Sequence, residues 1–126
     1  MAKETVGLIE KVKIYGKGKP IEVQALLDTG AKTTSIDIGL AAEANLGPVM
    51  RTSKTRAPIT KEVDKRPVVK TIIEIKGKKF EVEANLNDRS HMKYSVLIGR
   101  NLLYGNFVVD VSKSPKNVKQ SEDTEE

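Results

Sequence analysis

One stretch carries residue types suited to chemistry in a tight order: ALLDTGAK, residues 25–32. An apolar run ends in Asp28, and Thr29, Gly30 and Ala31 follow at once. A carboxylate fixed at a strand end can act as general base toward a bound water. The same residues also make good turn chemistry, in which case Asp28 only closes a strand. Water activation by an acid pair needs two carboxylates a few ångströms apart that share one proton. The chain has no second Asp-Thr-Gly or Asp-Ser-Gly.

Other chemistries find less support. There is no Cys and a single His, so a disulfide framework is excluded and neither a structural zinc site nor a His-Glu-x-x-His metal site is supported; no metal is expected. The turn GKGKP lacks the second half of a phosphate-binding P-loop, so no ATP or other cofactor is expected. Asp88, Ser90 and His91 are neighbours in NDRSHM, but a triad requires orientation in space, and His91 reads as a loop residue. Asp110 reads as the end of a strand or a member of an ion pair rather than a catalytic acid. The net charge is +5, with lysines spread along the chain. No tight arginine block with interleaved aromatics appears, which disfavours nucleic acid as partner. No run is long enough for a signal peptide or a bilayer span, so the expected location is cytoplasmic, away from membranes.

The elements that must position Asp28 are mostly strands. KVKIY (11–15) and IEVQALL (21–27) flank GKGKP as a hairpin. TTSI fits a short strand, and Asp37 can cap a brief helix, IGLAAEANL, closed by Gly47. Residues 48–66 are polar and basic without a sustained period, and form a long loop or a hairpin standing away from the core. VVKTIIEI (68–75) and KFEVEANL (79–86) make the clearest hairpin, with Glu81, Glu83 and Asn85 on its polar face. YSVLIG, the helical turn RNLLYG and NFVVDV follow. The expected organisation is one domain over 1–111 and a disordered tail over 112–126.

GKPIEVQALLD (18–28) aligns without gaps to GKKFEVEANLN (77–87), with six of eleven residues identical at an offset of 59. Two amphipathic strands after a Gly-Lys turn can converge on such a pattern. As a true repeat, it makes the domain two similar halves about an approximate two-fold axis. The counterpart of Asp28 is then Asn87, an amide.

LLDTGAKTTSI (26–36) followed by SVLIGRNLL (95–103) resembles the pattern of retropepsins, the aspartic proteases of retroviruses. The run from Arg66 to Val111 is similar to a prokaryotic retropepsin-like family often labelled "ATP-dependent zinc protease" and associated with ATP-grasp glutamate ligases. The resemblance covers about residues 6–112. It implies an all-β fold, a closed acid-protease barrel with one or two short helices. It also implies an aspartic peptidase acting as a homodimer on a peptide or protein substrate, with Asp28 of each protomer in one dyad. By the same resemblance Thr29 bonds across the two-fold axis, Gly30 allows close backbone approach and Ala31 keeps the substrate floor open. Arg100 and Asn101 then belong to a supporting helix, and Asn87, Arg89 and Met92 line a pocket. The 48–66 segment falls at the retropepsin flap, but it lacks a Gly-Gly tip, and its basic charge suits an acidic peptide. The competing expectation is a non-catalytic binding or regulatory module of the same fold for an acidic protein or a ligase.

Overall fold

Among the residues the computed structural model describes, 3–56 and 62–113, the chain forms nine strands and two short helices. Strand β1 (Glu4–Gly7) leads into β2 (Ile9–Tyr15), and the GKGKP turn returns the chain as β3 (Ile21–Leu27). Past the Asp28 loop come β4 (Thr34–Asp37) and helix α1 (Ile38–Ala44). Asp37 caps this helix, its Oδ2 accepting from the amides of Gly39 at 3.0 Å and Leu40 at 3.2 Å. Asn45, not Gly47, closes the other end: it adopts the left-handed conformation that asparagine tolerates, and its amide reaches the Ala41 and Ala42 carbonyls.

The basic 48–66 segment resolves into two antiparallel arms, β5 (Val49–Arg56) against β6 (Val63–Ile75), and residues 57–61 lie outside the described residues. Lys76 and Gly77, both at positive φ, turn β6 into β7 (Lys78–Asn87). The chain continues through β8 (Val96–Ile98), helix α2 (Arg100–Leu103) and β9 (Phe107–Asp110). The expected disordered tail lies outside the described residues from 114 onward.

Strands β2, β3, β8, β4, β7 and β6 follow one another around a ring that β6 closes by pairing back onto β2. Closure removes the exposed edges that an open sheet presents. Inside the ring Ile14, Leu27, Ile36, Ile73 and Ile98 are fully buried. Among the described residues strand β5 pairs only with β6, and the hairpin lies over β7 through Arg51–Glu83 and Arg66–Asn85 bonds. Strand β1 pairs in parallel with β9, Glu4 opposite Phe107, and contributes Val6 to the core. Sequence reading did not find β1: a parallel pairing across the whole chain leaves no turn signal, and only Val6 is strongly apolar in it.

The repeat is built into this frame. Val12 faces Val23 in the first hairpin, and Thr71 faces Val82 in the second, 59 residues on. Leu27 of β3 pairs with Ile98 of β8, as Leu86 of β7 pairs with Ile36 of β4. Helix α2 follows β8 as α1 follows β4. An approximate two-fold axis relates the halves, and Asp28 and Asn87 close equivalent strands.

Candidate active site

Strand β3 ends on the buried Leu27, and Asp28 leaves the sheet half-buried, followed by the exposed Thr29 and Gly30. The Asp28 amide donates to the Ile98 carbonyl at 2.8 Å. Its own Oδ1 accepts the Gly30 amide at 2.8 Å, and its carbonyl accepts the Ala31 amide at 3.2 Å. The carboxylate is therefore oriented by its own turn.

Helix α2 grips this loop from behind. The Arg100 amide donates to the Ala31 carbonyl at 2.8 Å, and its Nη1 donates to the Thr29 carbonyl at 3.0 Å. Asn101 Oδ1 accepts both the Thr34 amide at 3.0 Å and the Thr34 hydroxyl at 2.8 Å. Its Nδ2 donates to the Glu83 carbonyl at 2.8 Å, which ties loop, helix and β7 together. Gly99 makes the approach possible, since a Cβ there would lie 2.4 Å from the Thr33 carbonyl oxygen.

The second half is wired differently. Asn87 Oδ1 lies 2.8 Å from the Ser35 hydroxyl, and Asn85 Oδ1 lies 2.9 Å from it. Asp37, paired with Asn87 across β4 and β7, is the nearest acid in register. Both its oxygens are engaged, Oδ2 by the helix cap and Oδ1 by the Arg89 amide at 2.8 Å. Arg89 is 6% exposed and its Nε donates to the Tyr94 carbonyl at 2.9 Å, while Met92 and His91 face solvent. Asp88 Oδ1 accepts the Ser90 hydroxyl at 2.6 Å and the Ser90 amide at 2.9 Å, which hold its carboxyl below the usual range. Asp110 has the same arrangement with Ser112. Among the described residues no three His, Asp or Glu side chains gather as a metal site.

A groove of about 530 Å³ opens beside the loop, between Lys32 and Thr33, the hairpin arms and β7. Arg51, Lys54 and Arg66 bring positive charge from the hairpin, and Glu83 and Asn85 form the β7 side. Arg51 Nη2 donates to Glu83 Oε1 at 2.6 Å; this bond holds the Glu83 carboxyl below its usual range. Arg66 Nη1 donates to Asn85 Oδ1 at 3.1 Å, and Asn85 Nδ2 donates to Thr33 Oγ1 at 3.0 Å. Sequence reading placed Glu83 and Asn85 only on a polar strand face. Asn85 is buried there, because the hairpin folds over that face. The signal available was an amide flanked by Ala84 and Leu86 at the end of a strand.

A model of the RimB-like family, described as retropepsin-like aspartic endopeptidase RimB, matches residues 40–120. The chain belongs to the RimB-like family. The family match begins beyond the Asp28 loop and takes in the hairpin, β7 and α2. A probable alpha-L-glutamate ligase of Shewanella halifaxensis is 38% identical over 53 residues, which are 42% of this chain and 12% of the ligase. A solved Legionella pneumophila protein of unknown function is similar with a TM-score of 0.59 at 20% identity, over 90% of this chain and 97% of that one. The simian foamy virus protease is similar with a TM-score of 0.53 at 18% identity, over 73% of this chain and 87% of its own. At these identities the likeness is one of fold: the RimB-like chain is a mostly β, closed barrel of retropepsin type with two short helices.

Proposed function

We propose that two copies of this RimB-like chain form an aspartic peptidase, each giving Asp28 to a shared dyad. One observation carries the reading. Asp28 is presented on an exposed loop pinned by α2, whereas its counterpart within the chain is an amide hydrogen-bonded to Ser35. The second carboxylate then comes from a second copy, and isologous contact across a two-fold axis brings two copies of one residue together.

In the dyad one proton is shared between the two carboxylates. The ionised oxygen takes a proton from a water whose oxygen attacks the scissile carbonyl carbon, while the protonated partner hydrogen-bonds the carbonyl oxygen. Collapse of the tetrahedral intermediate breaks the C–N bond, and the leaving amine takes up a proton. Arg100 and Asn101 hold the loop rigid by their bonds to Thr29, Ala31 and Lys32. Thr29 bonds across the axis, and Gly30 and Ala31 leave room for the peptide. The β5–β6 hairpin acts as the lid that excludes water.

The substrate class follows from charge. Lys32, Arg51, Lys54 and Arg66 set against Glu83 make the groove cationic and suited to an acidic peptide. The likeness to part of a glutamate ligase supports work alongside such an enzyme. Among the described residues no helix is long and apolar enough to cross a membrane. The test is hydrolysis of glutamate-rich peptides by the purified protein. Asp28→Asn lowers the rate about 10²–10⁴-fold under this reading; an unchanged rate contradicts it.

A further inference from the structure

The cationic groove already contains a carboxylate. Glu83 reaches into it from β7 and holds Arg51 at 2.6 Å, the separation of a charge-assisted hydrogen bond. Its backbone is anchored, because Asn101 Nδ2 binds the Glu83 carbonyl at 2.8 Å, so the side chain is displayed from a fixed point. Arg66, next along the same hairpin face, is placed differently: it donates to the neutral Asn85 oxygen and to Asp64, which belongs to its own strand. Arg51 is thus the cation of the groove that the barrel wall itself neutralises.

We propose that Glu83 is a built-in competitor for acidic ligands, occupying the Arg51 guanidinium at the place an incoming carboxylate takes. The proposal rests on the acidic-substrate reading above and adds the residue that sets its stringency. The pair is solvent-exposed on both sides, with side chains 55% and 40% accessible. Exposed ion pairs are weak and exchange readily. A ligand carboxylate therefore displaces Glu83 without a large barrier, but replaces one carboxylate on Arg51 by another and gains little there. Net affinity comes from the remaining cations, chiefly Lys32 and Lys54, since Arg66 shares its charge with Asp64. Glu83 thereby favours ligands that reach several of these groups over a single acidic side chain.

The experiment measures binding of a dye-labelled tetraglutamate peptide, and of its tetraglutamine analogue, to the intact protein by fluorescence anisotropy. The proteins compared are the wild type, Glu83→Gln, Arg51→Gln and the double variant. Glu83→Gln is expected to tighten tetraglutamate binding about fivefold, the scale of one unit-charge interaction near 4 Å in water. In the Arg51→Gln background the same change is expected to lose most of that gain, since competition requires Arg51. An unchanged or weaker affinity of Glu83→Gln overturns the proposal. So does a gain that persists in full without Arg51, which marks simple repulsion. In either case, a wild-type preference for tetraglutamate over tetraglutamine leaves the acidic-substrate reading standing. No preference in any variant removes both.

Discussion

Ile14 of β2 lies directly opposite Ile73 of β6, and their offset of 59 positions is the same interval that separates Asp28 from Asn87. A residue paired with its own repeat mate marks the point where the two-fold axis crosses the barrel wall. Ile14 and Ile73 are both fully buried, so the two halves meet in the core. At the ends of the equivalent strands the halves differ in chemistry: an acid in an exposed loop on one side, an amide bonded to Ser35 on the other.

The Asn101 side chain ties the strand that follows the Asp28 loop to β7. Replacing it by Ala leaves the amide and hydroxyl of the buried Thr34 without their acceptor. An unsatisfied buried donor costs about 1–3 kcal/mol. Asn101→Ala is expected to lower stability by that amount in urea unfolding and to reduce peptide hydrolysis as well. A variant as stable as the wild type contradicts the assignment.

Much of this frame was legible in the residues. The hairpins were announced by alternating Val, Ile and Leu around Gly-Lys turns, and the barrel was implied by the resemblance of the two motifs to retropepsins. Asp37 was legible as a cap because an acid preceded a short apolar period. Less legible were features made by distant segments meeting. The β1–β9 pair joins the two ends of the described chain, and the groove joins a loop, a hairpin and a strand that lie far apart in sequence. Asn45 in place of Gly47 was missed for a local reason, since Gly favours the left-handed cap only when the helix extends to it.

Gly99 offers a steric test of the same support. Its backbone torsion is one any residue can adopt, but a Cβ would meet the Thr33 carbonyl oxygen at 2.4 Å and the Ala31 oxygen at 3.0 Å. Both contacts are backbone, so the loop carrying Asp28 must move. Gly99→Ala is therefore expected to abolish most hydrolysis, because sub-ångström placement of reacting groups governs rate. Retained activity with unchanged backbone amide shifts in the 28–33 loop contradicts this.

Besides Glu83, two aspartates with hydrogen bonds of one kind contribute to acid stability. The Ser90 hydroxyl and amide lower the Asp88 pKa, and those of Ser112 lower that of Asp110. A carboxyl with a depressed folded pKa stabilises the native state above its unfolded pKa of about 3.9, and the contribution is lost as pH falls through the folded value. The double variant Ser90→Ala, Ser112→Ala is expected to raise both carboxyl pKa values in an NMR titration. It should also move the acid-unfolding midpoint to higher pH. Unshifted titrations contradict the assignment.

The central claim is that one active site needs an Asp28 from each of two chains, and subunit mixing tests it most directly. Wild-type protein is allowed to exchange subunits with a rising excess of Asp28→Asn protein while peptide hydrolysis is followed. If the dyad spans two copies, a ninefold excess lowers activity per wild-type subunit to about one tenth, because nearly every wild-type chain is then paired with an amide. Activity that stays proportional to the wild-type protein present, whatever the excess, contradicts the shared dyad.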